Sequence, residues 1–172
     1  MSFQLIKMIE EQTKRALWKI KNVIDCIPDE LWEKEYCEMP MYKHVYHTLH
    51  SLDLWMINPR DVFFKEPDFH IPDLNNLDIK TDFILSRQTM EDYLRKTEMK
   101  IMDYLADLDD EKLCEKPKNC EYSRLTLILA QFRHLHTHMG MLKGFIIDDT
   151  GLWPKILGLE SPFPEGDFDK YL

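Results

Sequence analysis

A chain of 172 residues, 44% hydrophobic and 31% charged, has the composition of a globular protein with one buried core and excludes a disordered chain. Its net charge of −9 argues against nonspecific nucleic-acid binding and against docking on an anionic membrane. No apolar run approaches the ~20 residues a membrane span needs. The first residues, MSFQLIKMIEEQTKRAL, are amphipathic and carry no signal-peptide core or cleavage site. Residues 1–172 are therefore read as a single cytoplasmic domain. Cys26, Cys37, Cys114 and Cys120 form no C-x-x-C pair and read as reduced thiols without an assigned role.

Five glycines in the whole chain favour helices. Segment one, Phe3 to about Asp25, places Leu5, Met8, Ile9, Ala16, Leu17, Ile20, Val23 and Ile24 at three- and four-residue steps, an amphipathic helix. IPDELWEK reads as a turn, with Pro28 stopping one helix and Asp29 capping a short next one. Segment two, MYKHVYHTLHSLDLWMI, starts after Pro40 and ends at Asn58-Pro59. Residues 58–80 hold three prolines and few periodic apolar residues, and are expected to form a long ordered excursion or a lid. Segment three, about Asp82 to Leu108, is helical through Met90, Tyr93, Leu94, Ile101, Met102 and Leu105. A polar turn follows. Ser123 then caps segment four, about Arg124 to Ile147, which Gly151 closes. The last twenty residues read as an extended tail packed on the body. No segment alternates as a strand. The expected fold is all-α, a four-helix bundle.

Segment four contains QFRHLHTHMG. On a helix His134 and His138 share a face one turn apart, while His136 points about 200° away from His134. Leu127, Gln131, His134, His138, Met141 and Phe145 fall in one stripe of about 80°, mostly apolar, so the pair is expected to face the bundle. Two adjacent imidazoles that desolvate each other call for a metal or an acid. Segment two carries His44, His47 and His50 at three-residue steps. Either His47 or His50 could complete a three-imidazole site: the most apolar stripe lies away from His47, and His50 stands nearer Tyr46, Leu54 and Ile57. Three protein ligands with open positions is the pattern of a catalytic or substrate-binding ion. His44 and His70 read as surface residues. Asp53 reads as an exposed carboxylate or a partner that orients an imidazole. Tyr46 and Trp55 read as core.

VYHTLHSLDLW (45–55) and HLHTHMGML (134–142), in this order on helices two and four, resemble the DinB/YfiT-like superfamily of small helical metalloproteins. The resemblance covers nearly the whole chain. It implies an up-down-down-up bundle that dimerises. It also implies a divalent metal held by one histidine of the second helix, matched here by His47, and by His134 and His138 of the fourth. Gly140 stands at the family's small position, and Met141 where the family carries a polar residue. Zinc is the first expectation for the ion, and nickel, iron or manganese would also accept three imidazoles and water. Some members are similar to thiol S-transferases, so a small-molecule thiol or other substrate activated at the metal is one expectation, with hydrolysis by activated water beside it. A noncatalytic, dimeric metal- or ligand-binding bundle is the other. Lys43 and Arg133 are the nearest basic residues in sequence that could attract an anionic thiol.

Overall fold

The computed structural model describes residues 4–172. Its first helix, α1 (Leu5–Asp25), buries the amphipathic face formed by Ile6, Ile9, Ala16, Leu17, Ile20, Val23 and Ile24. The expected start at Phe3 lies outside the described residues. Gln4, before the helix, supplies no side-chain cap. The carboxylate of Asp110 does so from over a hundred residues away, accepting the main-chain N–H groups of Leu5 and Ile6 at 3.0 and 2.8 Å. Two of the helix's orphan donors are satisfied this way, by an anion placed at the positive end of its dipole.

After α1 the chain makes a 3-10 turn (Asp29–Leu31) that begins from Pro28. Asp29 lies inside this turn rather than capping it, and accepts from Arg87 Nε at 3.0 Å. A two-stranded antiparallel hairpin then appears where no strand was expected: β1 (Glu35–Tyr36) pairs with β2 (Met39–Pro40). Its connecting residues, Cys37 and Glu38, both have positive φ, 49° and 68°, as a two-residue hairpin turn requires. Two-residue strands are too short to show alternation, which is why the pattern was silent here.

The second helix, α2 (Met41–Trp55), is covered on nearly every side; Met41 to Tyr46 and Thr48 to His50 are all buried. It packs between α3 (Arg87–Ala106) and α5 (Arg124–Thr150), and α1 packs on the same two helices. Expected and observed limits of α3 differ at the start because Ser86, not Asp82, is the cap: its Oγ accepts from Thr89 N at 3.1 Å. Residues before it run extended, where Leu85 O accepts from the Trp32 indole at 2.7 Å. The polar turn before α5 contains a short helix, α4 (Asp110–Cys114), capped by Asp109. Ser123 caps α5 as expected, and Gly151 ends it with φ 71°, the left-handed conformation glycine adopts without steric cost.

Residues 56–86 contain no helix or strand, yet the excursion is anchored by the fully buried Leu74 and Leu85. The tail returns along α1. Asn22 Nδ2 donates to Lys155 O and Lys170 O, and Pro154 bridges Tyr171. The described residues are thus predominantly helical, with one minimal sheet. No helix among them is long and apolar enough to cross a membrane. All four cysteines are free, Cys26 and Cys120 buried, Cys37 and Cys114 exposed.

Candidate metal centre

A helix buried on nearly all sides must find partners for the polar side chains it carries, and α2 does so for most of them, leaving the buried Nδ1 of His44 unpaired. Lys43, fully buried, donates to the carbonyl of Ile79 in the excursion. His44 is buried as well, not at the surface as its sequence suggested, and its Nε2 donates to Tyr36 O at 2.8 Å. Asp53 is not exposed, and its described side-chain partners are not imidazoles. It is a buried carboxylate that accepts from Tyr93 Oη at 2.9 Å and from Lys100 Nζ of α3. Tyr46 belongs to the core, whereas Trp55, at the open end of the helix, is 47% exposed.

Between Met41 and His50 only His47 is less than fully buried, and it shares a strip with the half-buried Ser51 and Leu54. That strip faces α5. Ser51 Oγ donates to Gln131 Oε1 at 3.4 Å. The His47 ring centre lies 5.2 Å from that of His134 and 4.5 Å from that of His138, and the two α5 rings stand 4.4 Å apart. One nitrogen from each of the three lies within 4.8 Å of the others. A tetrahedral zinc site with bonds of about 2.05 Å spaces its donors about 3.3 Å apart, so modest side-chain rotations bring all three into range.

The pair on α5 does not lie at the centre of that helix's buried face. Leu127, Ile128, Gln131, Leu135, Met139, Leu142 and Ile146 form that face. The stripe through His134, His138, Met141 and Phe145 runs beside it, about one residue step round the helix, and is half-buried. The histidines therefore sit at the edge of the core, where small molecules can approach from one side. His136 is exposed, as its phase requires, and its Nδ1 bonds back to Phe132 O.

Hydrogen bonding leaves these imidazoles with free nitrogens, a feature that His44 Nδ1 outside the cluster shares. His47 Nδ1 donates to the main-chain carbonyl of Asn75 at 2.7 Å, which fixes the tautomer and leaves Nε2 with a free lone pair. His134 and His138 each keep a buried Nδ1 with no partner. A buried polar nitrogen left unpaired costs roughly 1–3 kcal/mol, and two such groups on adjacent turns are a poor solution for stability alone. Burial holds the pKa of all three below the ordinary histidine value. His138 falls furthest, to about 4, through burial first and then through its neighbours His47, His134 and His44. His134 is lowered by burial and by His47. His47 is lowered by burial, against the raising effect of the Asn75 carbonyl. All three are neutral at pH 7, the state in which imidazole binds a cation. The donor set fits a divalent ion.

His50 takes no part in this cluster. Its Nε2 donates to Glu66 Oε2 at 2.7 Å and its Nδ1 accepts from Asn75 Nδ2 at 3.2 Å. His70 is not an isolated surface residue either: it stacks on His50 with ring centres 5.4 Å apart and its Nδ1 bonds Tyr46 Oη at 2.6 Å. Asn75, Glu66 and His70 were invisible as functional partners in the sequence. They lie in a segment without periodicity, where residue spacing says nothing about direction. Arg133 is exposed, and Lys43 is held by the Ile79 carbonyl, so Lys43 is not free to serve the three histidines.

A cavity of about 470 Å³ opens elsewhere, between the excursion and α3. Asp53, Glu66, Phe69, Tyr93, Thr97 and Lys100 are among its lining residues, and none of the three histidines is.

No protein-family profile, curated protein or solved structure matches the chain.

Proposed function

We propose that the chain is a DinB/YfiT-like metalloprotein in which His47, His134 and His138 hold one divalent cation. Zinc is the first choice for three nitrogen donors, and nickel, iron and manganese are the alternatives. The observation that carries this reading is the convergence of three neutral imidazoles, two of them with buried nitrogens that no described residue satisfies. In the same reading α1, α2, α3 and α5 form an up-down-down-up four-helix bundle, and the protein works as a cytoplasmic homodimer.

Bound there, the ion supplies Lewis acidity that turns a low-molecular-weight thiol, or water, into a nucleophile at neutral pH. The chain's own contribution is positional. The Asn75 carbonyl aims His47, the spacing of one helical turn aims His134 and His138, and Leu135 and Met139 shield the inner side of the pair. The half-buried outer side admits an electrophilic small molecule. The function supported best is metal-dependent transfer of a thiol to such an electrophile, with hydrolysis when water takes the thiol's place.

The test is conjugation of monochlorobimane with cysteine, glutathione, bacillithiol or mycothiol, using zinc-loaded protein and His138→Ala. Metal-dependent turnover with one thiol is the expected result. A fully metallated protein that accelerates none of them fails this reading. A noncatalytic, metal-holding bundle is the second reading. It is favoured by one feature: Lys43, the basic residue nearest His47 in sequence, is held by the Ile79 carbonyl and is not free to receive an anionic thiol.

A further inference from the structure

We infer that His50, Glu66 and His70 form a second divalent-cation site, separate from the three-histidine cluster. A nitrogen of His50, a carboxylate oxygen of Glu66 and a nitrogen of His70 lie within 4.8 Å of one another. His50 is almost wholly buried, walled by the edge-on rings of Tyr46 and Phe64 and by the stacked ring of His70. Glu66, by contrast, has a side chain that is 45% exposed. It belongs both to this cluster and to the lining of the 470 Å³ cavity, which gives a hydrated ion a route to the buried His50 and the partly accessible His70. Two imidazoles and one carboxylate with positions left open is a donor set that zinc, iron(II) and manganese all accept. It leaves one positive charge uncompensated.

An outer partner is already in place. A ligating imidazole needs an acceptor for its second N–H, and Asn75 stands at His50 Nδ1. A half turn of its amide presents Oδ1 in place of Nδ2, so His50 can carry its proton on Nδ1 and offer Nε2 to the ion. Asn75 then serves both clusters, its main-chain carbonyl holding His47 and its side chain holding His50. The second site is the weaker of the two. An ion must displace the His50–Glu66 and Tyr46–His70 hydrogen bonds, whereas the α5 histidines have unpartnered nitrogens to offer. One of these bonds is to a carboxylate and the other is neutral, and losing both lowers the affinity by about 30-fold or more relative to the first site.

The experiment is equilibrium dialysis of untagged, metal-stripped full chain against Co²⁺, with cobalt counted per chain. Wild type is expected to bind two ions in two steps. Glu66→Gln and His70→Ala should each remove the weaker step and leave the tighter one unchanged, while His138→Ala should do the reverse. Both Glu66 and His70 are partly solvent-accessible, so their replacement leaves the core intact. A single step in wild type overturns the proposal, as does a weak step that persists in both Glu66→Gln and His70→Ala, which would mark scattered surface carboxylates. Loss of the three-histidine reading shows separately, as a tight step insensitive to His138→Ala.

Discussion

His47 and His50 stand less than one helical turn apart on α2, and their surroundings could hardly differ more. His47 turns to α5 and meets two imidazoles whose Nδ1 atoms have no partner. His50 turns to the excursion and finds each ring nitrogen bonded, one to Glu66 and one to Asn75. Counting histidines does not distinguish these two groups; counting unsatisfied nitrogens does. The first cluster leaves two buried ring nitrogens unpaired, and in the second both nitrogens of His50 are bonded. That difference predicts which site holds an ion tightly, and it can be broken or sharpened in four ways.

The largest effect belongs to the ligands on α5. His134→Ala or His138→Ala should abolish tight binding, a loss beyond the roughly 10–100-fold that removal of an outer-shell partner costs. Titration calorimetry with Zn²⁺ reads this directly. Retention of tight binding by both variants would place the ion elsewhere.

Acid comes next. In the unfolded chain these imidazoles take up protons near pH 6.5, while in the folded chain burial holds the value lower for His44, His47, His134 and His138, to about 4 for His138. Between those limits the unfolded state binds more protons, so metal-free stability falls as pH falls from about 6.5 and stops falling through these groups below about 4. Thermal melts of stripped protein should show Tm flat above neutrality and declining through that window. A Tm that rises on acidification would contradict the buried, neutral assignment.

Asn75→Ala is a sharper and smaller probe. The main-chain carbonyl that holds His47 survives the substitution, and only the amide on His50 is lost. Tight-site affinity should stay within about threefold, with a stability loss of about 1 kcal/mol in a denaturant melt. A large drop in tight binding would mean that the excursion, not the residue's backbone, sets the site. The smallest effect is His136→Ala: exposed and bonded only to its own helix, it should change zinc affinity by less than the error of the titration.

Much of this was legible in the sequence, and for definite reasons. Helix phase alone separated His134 and His138 from His136, because 100° per residue leaves no other arrangement. Ser123 and Gly151 marked the ends of α5 through the chemistry of caps. The choice between His47 and His50 was not legible by periodicity, because α2 is buried nearly all round and has no single apolar face to orient it. The polarity of Lys43, His44 and Asp53 misled for the same reason: each is buried, with a partner far away in sequence. The excursion's contribution through Glu66, His70 and Asn75 was out of reach, since residues without a regular backbone period carry no directional information. α4 was missed because five residues are too few for a periodic signal, and its role in capping α1 is entirely long-range.

The central claim is that the three converging imidazoles hold a cation, and the most direct measurement is zinc per chain in untagged protein after stripping, reconstitution and gel filtration. Wild type should retain one tightly held zinc, with any ion at the weaker cluster washed away, and the His134→Ala, His138→Ala double variant should retain none. A wild-type protein that leaves the column without stoichiometric zinc, nickel, iron or manganese after reconstitution with each, or a double variant that keeps as much as wild type, would contradict it.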